Sequence, residues 1–163
     1  MDLQTVYHNS PIGLIKISGN SEYVSAILFC EEEIIPSQTS FSLPPISECR
    51  KQLDEYFEGK RKLFDFPMQQ AGTDFQQSVW AALLQIPFGK TISYLELSKQ
   101  IGNTKAIRAV GTANGRNALS IVVPCHRVIG SNGKLIGYSG GLARKKNLLL
   151  HEAAHTLRTT TLW

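Results

Sequence analysis

Cys125 stands in the run Pro124-Cys125-His126-Arg127-Val128, where the residue types could support covalent chemistry. A cysteine by itself is more often apolar filler than a reagent. Here the next two residues are His126 and Arg127, and cationic neighbours favour thiolate over thiol. The short apolar run Ile121-Val122-Val123 ending at Pro124 reads as a strand end, a poor place to hide a small apolar side chain. The local pattern is a sulfur nucleophile with a histidine beside it. A histidine that takes a proton needs a carboxylate or carbonyl on its second nitrogen. Residues 74–163 hold three acidic side chains: Asp74, Glu96 and Glu152. Glu96 has capping-box spacing from Ser93, so Glu152, near the end of the last helix, is the best candidate. A solvated carboxylate on a helix face is the competing reading.

The elements that must position these residues can be read from pattern. Thr73 and Gln76 have capping-box spacing, and Phe75, Val79, Leu83 and Ile86 make an apolar stripe. They predict a helix that Pro87-Phe88-Gly89-Lys90 ends. Ser93 and Glu96 open a second helix that reaches Ile101 and stops at Gly102. The turn Asn103-Thr104-Lys105 leads into a third over residues 106–113, ended by Asn114-Gly115. Two short helices about a tight turn form a helix-turn-helix pattern, with the later one as recognition helix; many helical cores contain the same pattern. Apolar stretches on both sides of Ser131-Asn132-Gly133 predict a small hairpin. Tyr138-Ser139-Gly140-Gly141 is a glycine-rich loop, and a last helix is expected over about residues 142–154.

Earlier in the chain, TVYH, GLIKIS and YVSAILF read as strands separated by the turn-formers Asn9-Ser10-Pro11 and Ser18-Gly19-Asn20. Residues 31–45 read as a loop. A helix is expected over 46–58, with Ile46, Cys49 or Arg50, Leu53 and Phe57 on one face and Gly59 as its stop. Residues 59–72 then connect to the second lobe.

The chain has 163 residues, 42% of them hydrophobic, enough for one full core or two small lobes. Its net charge of +4 is unevenly spread. Residues 1–73 carry six Lys/Arg against ten Asp/Glu, and residues 74–163 carry eleven against three. A basic half points to a polyanion partner for that half, with solvated surface charge as the plain alternative. Cys30, Cys49 and Cys125 are too few for a disulfide framework, and the N-terminus lacks a basic-then-apolar leader. Reduced thiols and a cytoplasmic location are expected. There is no CxxC pair, and His8 is the only histidine in the first hundred residues, so no metal site is expected. No apolar run reaches the length of a membrane span.

With these features in view, Pro124-Cys125-His126-Arg127-Val128 resembles the active-site motif of the O6-alkylguanine–DNA alkyltransferases. Phe75-Gln76-Gln77, Val79-Trp80, Ile86-Pro87-Phe88-Gly89, Ser93-Tyr94, Arg108-Ala109-Val110-Gly111, Asn117 and Tyr138-Ser139-Gly140-Gly141-Leu142 follow in that family's order. The resemblance covers about residues 72–152; the N-terminal part is similar mainly in position and strand–helix character. It implies that Cys125 is the nucleophile and alkyl acceptor, that His126 deprotonates it through a water, and that Glu152 orients the imidazole. It implies Tyr94 as proton donor to the departing guanine, and Ser139 and Tyr138 beside the alkylated oxygen and as pocket wall. Backbone groups of Cys125 and Val128 would read the guanine edge, and Asn117 would hold the segment before Cys125. Arg108 would enter the duplex in place of the extruded base, with Gln76, Asn103 and Ser131 at the DNA backbone. The implied partner is double-stranded DNA containing O6-alkylguanine. The implied agent is a monomer without cofactor that acts once.

The expected fold is α+β in two lobes. Residues 1–72 would form a small α/β lobe with a short β-sheet, and residues 73–163 a mostly helical, winged-helix-like lobe carrying the helix-turn-helix. Two rival functions remain open at this point. One is a non-catalytic alkylated-DNA binding or transcriptional module. The other is a Cys–His hydrolase acting on small esters or peptides, which would be indifferent to DNA.

Overall fold

Alternating apolar residues build the sheet of the first unit in this computed structural model, which describes residues 2–31 and 41–160. Gln4–Ser10 (β1), Gly13–Gly19 (β2) and Val24–Cys30 (β3) pair antiparallel in sequence order. Ile17 lies opposite Val6 on one side and Ile27 on the other. With Ile15 these residues are buried on one face, as a period of two requires. The register shifts at Gly19, where a Cβ would lie 2.6 Å from the Tyr23 carbonyl oxygen, so this bend admits only glycine. The loop expected over residues 31–45 falls largely outside the described residues.

Helix α1 spans Pro44–Phe57, beginning at a proline pair suited to a first helical turn. It ends just before Gly59, whose φ of +79° only glycine takes readily. Its buried stripe is Ile46, Cys49, Leu53 and Tyr56. The expected stripe ended on Phe57 instead; spacing of three, four and three residues places Tyr56 on the inner face. Cys49 is a core thiol that burial pushes up to about 12. His8 on β1 is held between Asp54 Oδ1, at 2.7 Å from Nε2, and Arg50, whose Nε donates to Nδ1.

The chain forms two compact units, one of residues 1–71 and 118–122, the other of 72–117 and 123–163. Residues 118–122 were expected in the second lobe but pack with the first. β3 is the last strand of this sheet, and a last strand offers main-chain groups that another segment can pair with. Ile27 N donates to Ala118 O and Ser120 N donates to Ile27 O, at 2.8 and 3.0 Å. Leu119, Ile121 and Val122 are buried. The run before Cys125 is therefore not a strand but a series of turns, in which Ile121 has a φ of 72°.

The second unit is mostly helical. Helix α2 spans Asp74–Leu83 behind a complete capping box: Thr73 Oγ1 accepts from Gln76 N, and Gln76 Oε1 accepts from Thr73 N. Ile92–Ser93 (β4) leads into α3, Tyr94–Ile101, capped by Ser93 and closed by Gly102 in the left-handed region. One 3-10 turn, Thr104–Ala106, precedes α4, Ile107–Gly115. Asn114 and Gly115, expected to end this helix, lie inside it. Leu83, Leu97, Val110 and Ala113 fill the core where α2, α3 and α4 meet, and Trp80 Nε1 donates to Ala113 O at 2.9 Å.

Val128–Ile129 (β5) pairs in parallel with β4, and Leu142–Thr160 forms α5. The expected hairpin about Ser131-Asn132-Gly133 is reduced to a turn, with Gly130 N donating to Lys134 O. Its outgoing arm is not a strand, because the carbonyls of Ile136 and Gly137 accept from side chains instead. A three-helix core with a small sheet and loop matches the expected winged-helix-like lobe. Among the described residues no helix is long and apolar enough to cross a membrane.

Candidate active site

Cys125, His126 and Arg127 form a single 3-10 turn after Pro124, and all three are buried. Two asparagines fix the turn. Asn117 Nδ2 donates to Val123 O at 2.8 Å, and Asn114 Nδ2, from α4, reaches Cys125 O at 3.4 Å. Both amides are buried, so the thiol is held by polar anchors that a one-residue shift would leave unsatisfied.

His126 and Arg127 converge on Glu152 of α5, which is 0% exposed. His126 Nε2 lies 2.7 Å from Glu152 Oε2. Arg127 straddles the carboxylate, Nε to Oε1 at 2.8 Å and Nη2 to Oε2 at 3.1 Å, while its Nη1 donates to Ile86 O. Gly89 N adds a further donor to Oε1 at 3.3 Å. That approach requires glycine, since a Cβ at residue 89 would lie 2.1 Å from Thr156 Oγ1. The solvated reading of Glu152 is thereby excluded.

Charge is distributed differently from the sequence expectation. Burial pushes the Glu152 carboxyl up, but the His126 hydrogen bond and the Arg127 guanidinium outweigh it and hold the group well below the usual carboxylate range. Burial likewise lowers the His126 imidazole, more than Glu152 restores, so the ring is neutral near pH 7. A neutral ring beside an ionised carboxylate carries its proton on Nε2, leaving Nδ1 as acceptor. Among the described residues His126 Nδ1 has no hydrogen-bond partner. The Cys125 thiol was expected to be favoured as thiolate by His126 and Arg127. Burial instead raises it, partly offset by a hydrogen bond from Asn117 and the charge of Lys145. Arg127 does not serve the sulfur because its charge is matched by Glu152.

These directions fix the acid limb of stability. Below about pH 6.5 an unfolded chain protonates His126 while the folded chain keeps it neutral. Below about pH 4.3 it also protonates Glu152, which the fold keeps ionised. In both windows the unfolded state binds more protons, so stability falls as pH falls. Thermal melts should show the midpoint dropping from pH 7 to 5 and further towards pH 3.5. A midpoint flat between pH 7 and 5 would contradict a buried neutral imidazole.

Tyr94 opens α3, and its hydroxyl donates to Ile136 O at 3.0 Å. Burial, then the charge on Cys125, raise its pKa, so it stays a proton donor. It lines a cleft of about 360 Å³ together with Leu95, Ile107, Gly111, Ile136 and Gly137. Ser131 also lines this cleft. Tyr138, half-buried, and Ser139, exposed, follow Gly137 on the same loop. Arg108 is exposed near the start of α4, and Asn103 is exposed at the turn between α3 and α4. Gln76 is half-buried, with its carbonyl oxygen used in the α2 cap. Val128 is buried, and its carbonyl accepts from Lys145 at 2.6 Å.

Sequence reasoning missed two residues here. Asn114 was read as a helix terminator. Lys145 drew no reading of its own within the last helix, yet it is fully buried. The available signal was its spacing: residues 145, 148 and 152 lie three and four apart, and Lys145, Leu148 and Glu152 are all buried.

Residues 74–154 match the family model described as 6-O-methylguanine DNA methyltransferase, DNA binding domain, and residues 3–70 match its ribonuclease-like domain. A methylated-DNA–protein-cysteine methyltransferase of Mycobacterium tuberculosis is 45% identical over 157 residues, 95% of each chain. The crystal structure of the O6-methylguanine methyltransferase from that organism superposes with a TM-score of 0.83 at 44% identity, covering 94% of each chain. Its structure in complex with DNA gives a TM-score of 0.81, also at 44% identity, covering 94% of this chain and 93% of that one. These matches cover both halves of the chain, and the chain belongs to the 6-O-methylguanine DNA methyltransferase family.

Proposed function

We propose that this protein turns an O6-alkylated guanine out of duplex DNA and takes the alkyl group onto Cys125 Sγ, once per molecule. The observation that carries the reading is the buried His126, anchored through Nε2 to Glu152 and with Nδ1 unpartnered among the described residues, next in the chain to a held thiol; burial keeps the ring neutral. A bridging water carries the Cys125 proton to Nδ1. The sulfur then bonds to the alkyl carbon, the carbon–O6 bond breaks, and its electron pair stays on the purine. Tyr94 gives the ring a proton, and the proton held by His126 returns through solvent to the phenolate. The net change is thiol plus alkylguanine to thioether plus guanine. A thioether offers water no carbonyl to attack, so the sulfur is not restored. Protein groups alone balance these steps, and no cofactor enters the proposal.

Access requires removing the base from its stack, at a cost of a few kcal/mol. The exposed Arg108 on α4 suits the place the base vacates, in the minor groove as the family resemblance implies. Asn103, Ser131 and the amide nitrogen of Gln76 are assigned to the DNA backbone. Tyr138 and Ser139 would border the base, and Asn117 keeps the Cys125 turn in register. Val128 is buried with its carbonyl engaged by Lys145, so any contact to the guanine edge uses its remaining acceptor capacity. A monomer in the cytoplasm is the working state in this reading.

The test is a time course with excess duplex carrying O6-methylguanine. Repaired guanine should rise to one equivalent per chain and stop. Guanine rising past one equivalent would contradict single use of Cys125, binding without any guanine formed would identify the non-catalytic module, and neither binding nor repair would leave the Cys–His hydrolase, which is indifferent to DNA.

A further inference from the structure

Lys145 sits on the first turn of α5 with no solvent exposure. Its three protons match three main-chain acceptors: Val128 O at 2.6 Å, Ile136 O at 2.8 Å and Gly137 O at 3.1 Å. Val128 directly follows the Cys125 turn, and Ile136 and Gly137 line the cleft. One ammonium therefore joins the nucleophile's turn, the cleft loop and α5. Ile136 O also accepts from the Tyr94 hydroxyl, and Lys145 Nζ stands 5.8 Å from the centre of the Tyr94 ring.

A buried ammonium is costly, and this fold has spent all its donors on carbonyls that carry no countercharge. The other buried cation of the site, Arg127, is neutralised by Glu152. The titratable groups sharing its surroundings are Cys125 and Tyr94, with His126 also within electrostatic reach. Lys145 is thus a buried positive charge without a carboxylate partner among the described residues, coupled to Cys125 and set against the Tyr94 ring.

We propose that Lys145 is a positioning residue for alkyl transfer: its charge holds the Cys125 thiolate, and its bond to Ile136 O keeps that carbonyl satisfied when Tyr94 turns its proton to the departing base. The second half rests on the function proposed above; the first does not. Burial holds the Lys145 ammonium down to about 8, while the charge on Cys125 raises it. The two groups must therefore feel each other reciprocally.

The experiment compares wild type with Lys145→Gln and Lys145→Arg, each checked for folding by thermal melting. The first reading is the pH profile of Cys125 alkylation by iodoacetamide without DNA, which needs no assumption about substrate. Lys145→Gln should move the profile to higher pH and slow the reaction at neutral pH about tenfold, and Lys145→Arg should restore most of it. The second is single-turnover transfer from O6-methylguanine duplex, expected to fall further in Lys145→Gln than thiol reactivity does. A folded Lys145→Gln protein with the wild-type thiol profile overturns the electrostatic role. Transfer falling only in step with thiol reactivity overturns the Tyr94 role. If no substituted protein folds, lysine 15N NMR on wild type and Cys125→Ala still decides. Removing the sulfur should lower the Lys145 titration, and an unchanged titration overturns the proposal. Wild type that alkylates with iodoacetamide but takes nothing from DNA would fail the function reading alone.

Discussion

Glu152→Ala should cost the protein both its stability and its transfer chemistry. The alanine leaves the Arg127 guanidinium buried without its countercharge, and His126 Nε2–H and Gly89 N without an acceptor. Breaking a buried pair from one side costs about 3–5 kcal/mol. In a chain of this size that lowers the melting midpoint by roughly 10 °C. Transfer should fall about 10²–10⁴-fold, the range typical of losing an oriented base. Glu152→Gln separates the two effects. Glutamine keeps the volume and one acceptor oxygen, so less stability is lost. Its amide can donate to Nε2, however, which would move the ring proton to Nδ1 and remove the acceptor that the proposed proton path needs. The expected result is a glutamine protein more stable than the alanine protein yet comparably slow. Wild-type single-turnover rates in Glu152→Gln would mean that His126 is not the base.

Tyr94→Phe should isolate the other end of the reaction. Only the hydroxyl is lost, and its acceptor, Ile136 O, keeps Lys145 as partner. Stability should change by about 1 kcal/mol, the net worth of one ordinary hydrogen bond. The transfer rate should drop about 10²–10³-fold, because the departing purine loses the donor that quenches its developing charge. Affinity for lesion-bearing duplex should be little altered. The contrast between binding and transfer is the informative reading, and a rate within about threefold of wild type would assign the proton to another donor.

Much of the fold was legible because local signals were strong. The capping-box spacings at Thr73 and Ser93, and Gly102 after Ile101, set three helix boundaries within a residue or so. The three N-terminal strands followed from β-branched runs between turn-formers. What escaped depended on partners distant in sequence. The apolar run before Cys125 looked like a strand, yet β3 claims residues 118–122 through main-chain bonds at Ile27. The hairpin after Ile129 failed because Lys145 and Tyr94 take the carbonyls of its outgoing arm. Cys125, His126, Glu152 and Tyr94 were named from spacing and family resemblance. That Arg127 serves Glu152 rather than the sulfur could not be read from adjacency. A buried lysine is rare enough that composition argues against it, and only the 3-4 spacing with Leu148 and Glu152 pointed inward.

The central claim is that Cys125 Sγ keeps the alkyl group, and locating that group by mass is its most direct measurement. After reaction with excess O6-methylguanine duplex, cleavage after Arg116 and Arg127 releases residues 117–127, in which Cys125 is the sole cysteine. This peptide should be heavier by one methylene in every molecule, with fragmentation placing it on Cys125, and it should stay so after the DNA is removed. An unmodified peptide accompanying repaired guanine, or a methyl group on Cys30 or Cys49, would contradict the account.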